Sequence, residues 1–112
     1  MNDAEYIGKV LLVGLTFTNA DTGFHEQHQI HGRISRIRTD GFLEITIAAG
    51  EIFLLPFEER SLKKADPGLY RELSTGNEIT DPDLITFWTV DDAHPELVAS
   101  YLKHGFERFE KK

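Results

Sequence analysis

The sequence contains no cysteine. Disulfides, thiolate metal sites and a cysteine nucleophile are therefore excluded. Long hydrophobic runs are missing as well. The longest, residues 10–15, is far too short to span a bilayer. Residues 1–6 are polar and acidic and lack the basic and apolar regions of a secretion signal, so a cytoplasmic location and no membrane partner are expected. Basic residues are few: 12 Lys and Arg face 19 Asp and Glu, for a net charge of −7. That balance opposes attraction to phosphate backbones or anionic lipid and suits a basic partner. Colloidal solubility is the simpler explanation of the same balance.

What is present is a core. The 112 residues are 40% hydrophobic, with eight Phe, three Tyr and one Trp. One domain covering 1–112 fits this length, and a core of this content argues against disorder.

Residues 9–18 read as a strand apolar on both faces. Leu11, Val13, Leu15 and Phe17 alternate with Val10 and Leu12, which predicts a central strand. Gly14 predicts a bulge or bend. Residues 19–23 form a loop by composition. A long second strand follows over 24–38, with Gly32 inside it, so it can bend and serve two sheets. Arg36 and Arg38 share the parity of Ile30 and Ile34, which predicts a bulge near Ser35 that brings Ile37 inward.

Asp40-Gly41 predicts a two-residue hairpin. Strands over 42–48 and 51–55 follow, joined by a tight turn at Ala49-Gly50 and ended by Pro56. Residues 58–64 form either one helical turn or an exposed loop. Asp66-Pro67-Gly68 is a turn, and residues 69–73 and 78–80 pair as a small hairpin around 74–77. Residues 84–90 alternate β-branched and aromatic side chains and read as a strand. Pro95 then opens a helix over about 95–104, with residues 92–94 as cap candidates and Gly105 as its terminator. Leu97, Val98, Tyr101 and Leu102 form its apolar stripe. Phe106 and Phe109 pack the tail back on the strands.

The expected fold is mainly β: a small, strongly bent, antiparallel five-stranded barrel over about 6–90, with a short hairpin insertion and one C-terminal helix. The glycine-broken second strand and Asp40-Gly41 resemble the SH3-like and Sm-like small barrels. The segments at 6–9, 30–34, 67–70, 74–76 and 81–83, leading to Trp88, resemble those of small bacterial proteins to which no activity is assigned. That resemblance implies a bacterial, cytosolic, single-domain protein and adds no catalytic residue.

Four groups of residues carry chemistry worth weighing. His25, His28 and His31 could complete a zinc site. In a strand only His25 and His31 share a side, roughly 20 Å apart if extended, so solvent-facing side chains are the favoured reading. Asp91, Asp92 and His94 could form an acid–base pair, but a helix N-terminus explains them fully. Glu58, Glu59, Asp81 and Asp83 lack loop-ligand spacing and read as a solvated charged surface. Arg33, Arg36 and Arg38 could bind nucleic acid, but three arginines on an acidic chain read better as cross-strand partners of Glu44 or Glu51. Ser35, Ser61, Ser74 and Ser100 lie in no nucleophile-elbow context.

The sequence thus favours a non-enzymatic protein-interaction module, such as an inhibitor or immunity-type partner, with no cofactor, no metal and no catalytic residue assigned. The alternatives are a nucleic-acid or small-ligand binder and a metal-dependent enzyme built on the three histidines. Open sheet edges could also pair two copies. Any site is expected first on the turn-rich side carrying Glu58, Glu59, Asp81 and Asp83, together with Trp88.

Overall fold

Strand β1, Val10–Asn19, has its two faces decided by alternation. Leu11, Val13, Leu15 and Phe17 are all buried on the core face. A computed structural model describes residues 5–47, 50–72 and 75–106. Asn19 shapes the following loop: its Oδ1 accepts the N–H groups of Asp21 at 3.0 Å and Thr22 at 3.3 Å. The chain returns as β2, Phe24–Ile37. Residues 24–33 of β2 pair antiparallel with β1, and residues 33–37 pair with β3, Phe42–Thr46.

The change of partner occurs at Arg33, directly after Gly32. A Cβ at Gly32 would lie 2.4 Å from the Thr46 carbonyl oxygen, so only glycine lets the two backbones approach this closely. The register slips between Ile34 and Arg36. Ser35 is the extra residue of the expected bulge, and Ile37 turns toward the core beside Ile34. At Gly14 one of the two expected alternatives, a bulge, is excluded. The β1–β2 register runs through it without a slip, so it marks no bulge.

The Asp40-Gly41 turn is also corrected. Arg38 N–H donates to Phe42 O at 2.8 Å and Gly41 N–H to Arg38 O at 3.2 Å, which leaves three loop residues rather than two. Gly41 supplies the positive φ, 96°, that such a loop needs at its last position. Strand β4, Ile52–Pro56, pairs with β3. Ala48, Ala49, Leu73, Ser74 and Phe109 lie outside the described residues. A 3-10 turn at Glu59–Ser61 leads to the two-residue β5, Lys63–Lys64. The predicted small hairpin is present as β6, Leu69–Arg71, and β7, Glu78–Thr80. Strand β8, Leu84–Val90, and helix α1, Pro95–His104, complete the chain.

The five-stranded antiparallel barrel is not what these strands build. They form an open six-stranded sheet, ordered β4-β3-β2-β1-β8-β5, plus the two-stranded β6-β7 sheet. β8 lies parallel to β1, from Leu11↔Leu84 to Phe17↔Val90. The physical reason is the long connection after β4. It carries the chain back to the far side of β1, so β8 enters in the same direction as the first strand.

Among the described residues, the neighbour at the free side of β4 is Gly105, which follows α1, and not another strand. Gly105 has φ 83°, its N–H donates to Tyr101 O at 2.8 Å, and Phe106 N–H donates to Leu54 O at 2.7 Å. The helix packs its stripe against the core face: Val98 and Tyr101 are buried, with Tyr101 ring-to-ring 5.8 Å from Phe17. Phe106 closes the seam between Tyr101, at 4.7 Å, and Trp88, at 5.5 Å. Each large apolar side chain fully buried here contributes about 1.5–3 kcal/mol. No helix among the described residues is long and apolar enough to cross a membrane.

Candidate functional site

The mismatch between a 14-residue β2 and a 5-residue β3 leaves an edge. Among the described residues, positions 24–32 have β1 as their only ladder partner. The direction of the ladder follows from its neighbours. Val10 O accepts from Asp83 N and Thr18 O from Ala93 N, so the even carbonyls of β1 point toward β8. Its odd residues therefore bond to the even residues of β2. The N–H and C=O groups of His25 and Gln27 point the other way, and His25, Glu26 and Gln27 are exposed. The run 24–32, Phe-His-Glu-Gln-His-Gln-Ile-His-Gly, carries no Lys and no Pro, the residues that usually blunt an edge.

Beside this edge, a wide strip of the outer face of the sheet carries no Asp, Glu, Lys or Arg. Leu12, Gly14, Thr16 and Thr18 of β1 stand between His31, Gln29, Gln27 and His25 of β2 and Ile85, Phe87 and Thr89 of β8. The Phe87 ring lies across Gly14 and is 67% exposed. A shallow cavity of about 150 Å³ is bounded by Gly14, Thr16, Gln27, Gln29 and Phe87.

Further along β2, His31 Nδ1 contacts Glu72 Oε2. Glu72 is 4% exposed, and its other oxygen accepts the Thr75 hydroxyl at 2.6 Å. A carboxylate this buried needs such partners. It ties the β6-β7 hairpin to the sheet. A groove of about 350 Å³ runs beside it, between Val10, His31 and Arg33 on one side and Ile79, Thr80 and Asp81 on the other.

The residues singled out by sequence are dispersed. His28 lies on the core face opposite Leu15, while His25 and His31 lie on the outer face. No group of three potential metal ligands occurs among the described residues. The acids at the helix start do not cap it. His94 holds the cap position without a side-chain bond, Asp91 accepts the Thr18 hydroxyl at 2.9 Å, and Asp92 has φ 60°.

Asp81 and Asp83 are turn-holders: Asp81 Oδ1 accepts Gly68 N–H at 2.7 Å, and Asp83 Oδ2 accepts Val10 N–H at 2.9 Å. Glu59 Oε2 accepts the Tyr6 hydroxyl at 3.2 Å, and Trp88 packs on Phe106. These residues do not meet Trp88 in one site. The arginines are spent locally. Arg36 pairs with Glu44 at 3.6 Å, Arg38 with Asp40 at 2.6 Å, and Arg33 donates to Gly8 O at 2.7 Å. Glu44 is one of the two partners, with Glu51, that the cross-strand reading names.

Three buried polar atoms have no hydrogen-bond partner among the described residues: His28 Nδ1, Thr86 Oγ1 and Trp88 Nε1. Sequence reasoning missed the β2 edge and the His31–Glu72 contact. The edge had a signal, since the second predicted strand was twice the length of the third. The contact had none, because 41 residues separate its members. No protein-family model, curated protein or solved structure matches the chain.

Proposed function

We propose that this chain is a non-enzymatic protein-interaction module that takes up an extended segment of its partner by strand addition along β2. The observation that carries this reading is the ladder edge at His25 and Gln27, exposed and without Lys or Pro. Strand addition gives affinity through main-chain bonds and specificity through alternate side chains. The outer-face side chains next to it include no Lys or Arg, so a basic segment meets no fixed positive charge there. The net charge of −7 favours approach of a basic partner. An inhibitor or immunity-type role is the narrower form of this reading.

The test is hydrogen exchange on the chain with and without a partner captured from its native host. Slowed exchange at the His25 and Gln27 amides, lost together with binding in a Gln27→Pro variant, is the expected result. A captured partner that protects another surface and still binds Gln27→Pro would overturn strand addition.

A further inference from the structure

The β2 edge is complementary to itself. Consider two copies placed antiparallel, edge to edge, about a two-fold axis at Gln27. Gln27 then faces Gln27, and its outward N–H and C=O groups exchange both bonds across the axis. Glu26 falls opposite the partner's His28, and Phe24 opposite the partner's Ile30. Each pairing is favourable in kind: an acid with an imidazole and an aromatic with a β-branched residue. Within one chain Glu26 Oε1 and His28 Nε2 already meet at 3.0 Å, so both project on the same face and are placed to be shared. No like charges face each other anywhere in the register, although each chain carries a net charge of −7. An axis at His25 or Gln29 would not place Glu26 opposite His28.

From this register we infer that a second copy of the chain occupies the edge, in an isologous dimer with one sheet continuous through two β2 strands. The inference rests on the strand-addition reading and specifies what fills the edge in the isolated protein. Phe24 and Ile30 are half-buried against the core of their own chain. Their partner therefore extends that core rather than creating a separate one.

Two variants test it. Gln27→Pro removes the N–H on the axis while leaving the β1 ladder intact, because that N–H points away from β1. Gln27→Cys introduces the protein's only cysteine at the axis. Facing Cα atoms of a bonded pair lie about 5.5 Å apart, within the reach of a disulfide. Sedimentation of the wild-type chain should show a concentration-dependent dimer. Gln27→Pro should raise its dissociation constant more than about tenfold, the scale of one or two lost net hydrogen bonds, with an unchanged circular dichroism spectrum.

Mild oxidation should link Gln27→Cys into a covalent dimer, whereas Thr89→Cys, exposed on β8, should stay single. If Gln27→Pro fails to fold, the Gln27→Cys result decides. A wild-type chain that stays monomeric at every concentration, with no linkage of Gln27→Cys, overturns the dimer. It leaves strand addition standing if a captured partner still depends on the Gln27 N–H. A dimer that persists in Gln27→Pro and fails to link through position 27 overturns the edge as its interface.

Discussion

A Cβ at Gly32 would sit 2.4 Å from the carbonyl oxygen of Thr46, while a Cβ at Gly14 would meet only the ring of Phe87, at 2.7 Å. The two distances are similar and the obstacles are not. Backbone of a paired strand cannot move without breaking its ladder, whereas an exposed ring can swing away. Gly32→Ala should therefore cost about 2 kcal/mol or more, and Gly14→Ala less than about 1 kcal/mol. Urea denaturation of both variants checks the ordering.

Gly105 combines two demands. Its φ of 83° disfavours any side chain, and a Cβ would lie 2.1 Å from Leu54 O. Gly105→Ala should detach Phe106 from β4. The expected loss is about 1–3 kcal/mol, the range for overpacking and left-handed strain. A red shift of the single tryptophan is also expected, because Phe106 would leave Trp88.

Removing the Glu72 side chain should loosen one hairpin more than the whole fold. Glu72→Ala strips His31 Nδ1 and Thr75 Oγ1 of their acceptor, at a cost of about 1–3 kcal/mol. Amide exchange should rise at Leu69–Arg71 and Glu78–Thr80. Glu72→Gln keeps an acceptor at the same reach and should lose less.

Burial raises the Tyr101 phenol above its ordinary 10.0. A proton bound more tightly in the folded state contributes stability that is fully present below the unfolded pKa. It is lost as pH rises through the folded value. In the phenolate absorbance titration, one of the three tyrosines should ionise late, and Tyr101→Phe should abolish that late phase. The melting temperature of the wild-type chain should fall more steeply above pH 10 than that of Tyr101→Phe.

Local signals in the sequence carried most of the elements. Period two in residues 84–90, Pro95 before a stripe at helical spacing, and Gly32 with Ser35 in β2 each act through nearby atoms. The small hairpin was legible for the same reason. The arrangement of the strands was not. Whether residues 84–90 run parallel or antiparallel to β1 depends on the path of residues 57–83, and side-chain alternation is the same either way. β5 is two residues long, too short to show a period. At Gly14 the bulge alternative fails because a glycine under an aromatic ring on the next strand looks, in one dimension, like a glycine at a bulge.

The capping role expected of Asp91 and Asp92 is not the one they take. Short carboxylates before a helix can cap it, but Asp91 instead reaches Thr18, a choice made by the β1–β8 pairing and invisible within the segment. Asp81 and Asp83 are exposed, as a solvated charged surface requires, and each also accepts a backbone N–H, a role that no spacing within the segment signals.

The neighbours β1 and β8 begin some seventy positions apart along the chain. A hairpin of β1 and β2 can assemble from its own local contacts, but one flank of β1 then waits, apolar and unsatisfied, until the final strand arrives. Folding should accordingly show a late, slow step governed by that long-distance closure. Because Trp88 rides on the closing strand, its emission should track this last event, and a chain halted before it would present β1 to any sticky neighbour.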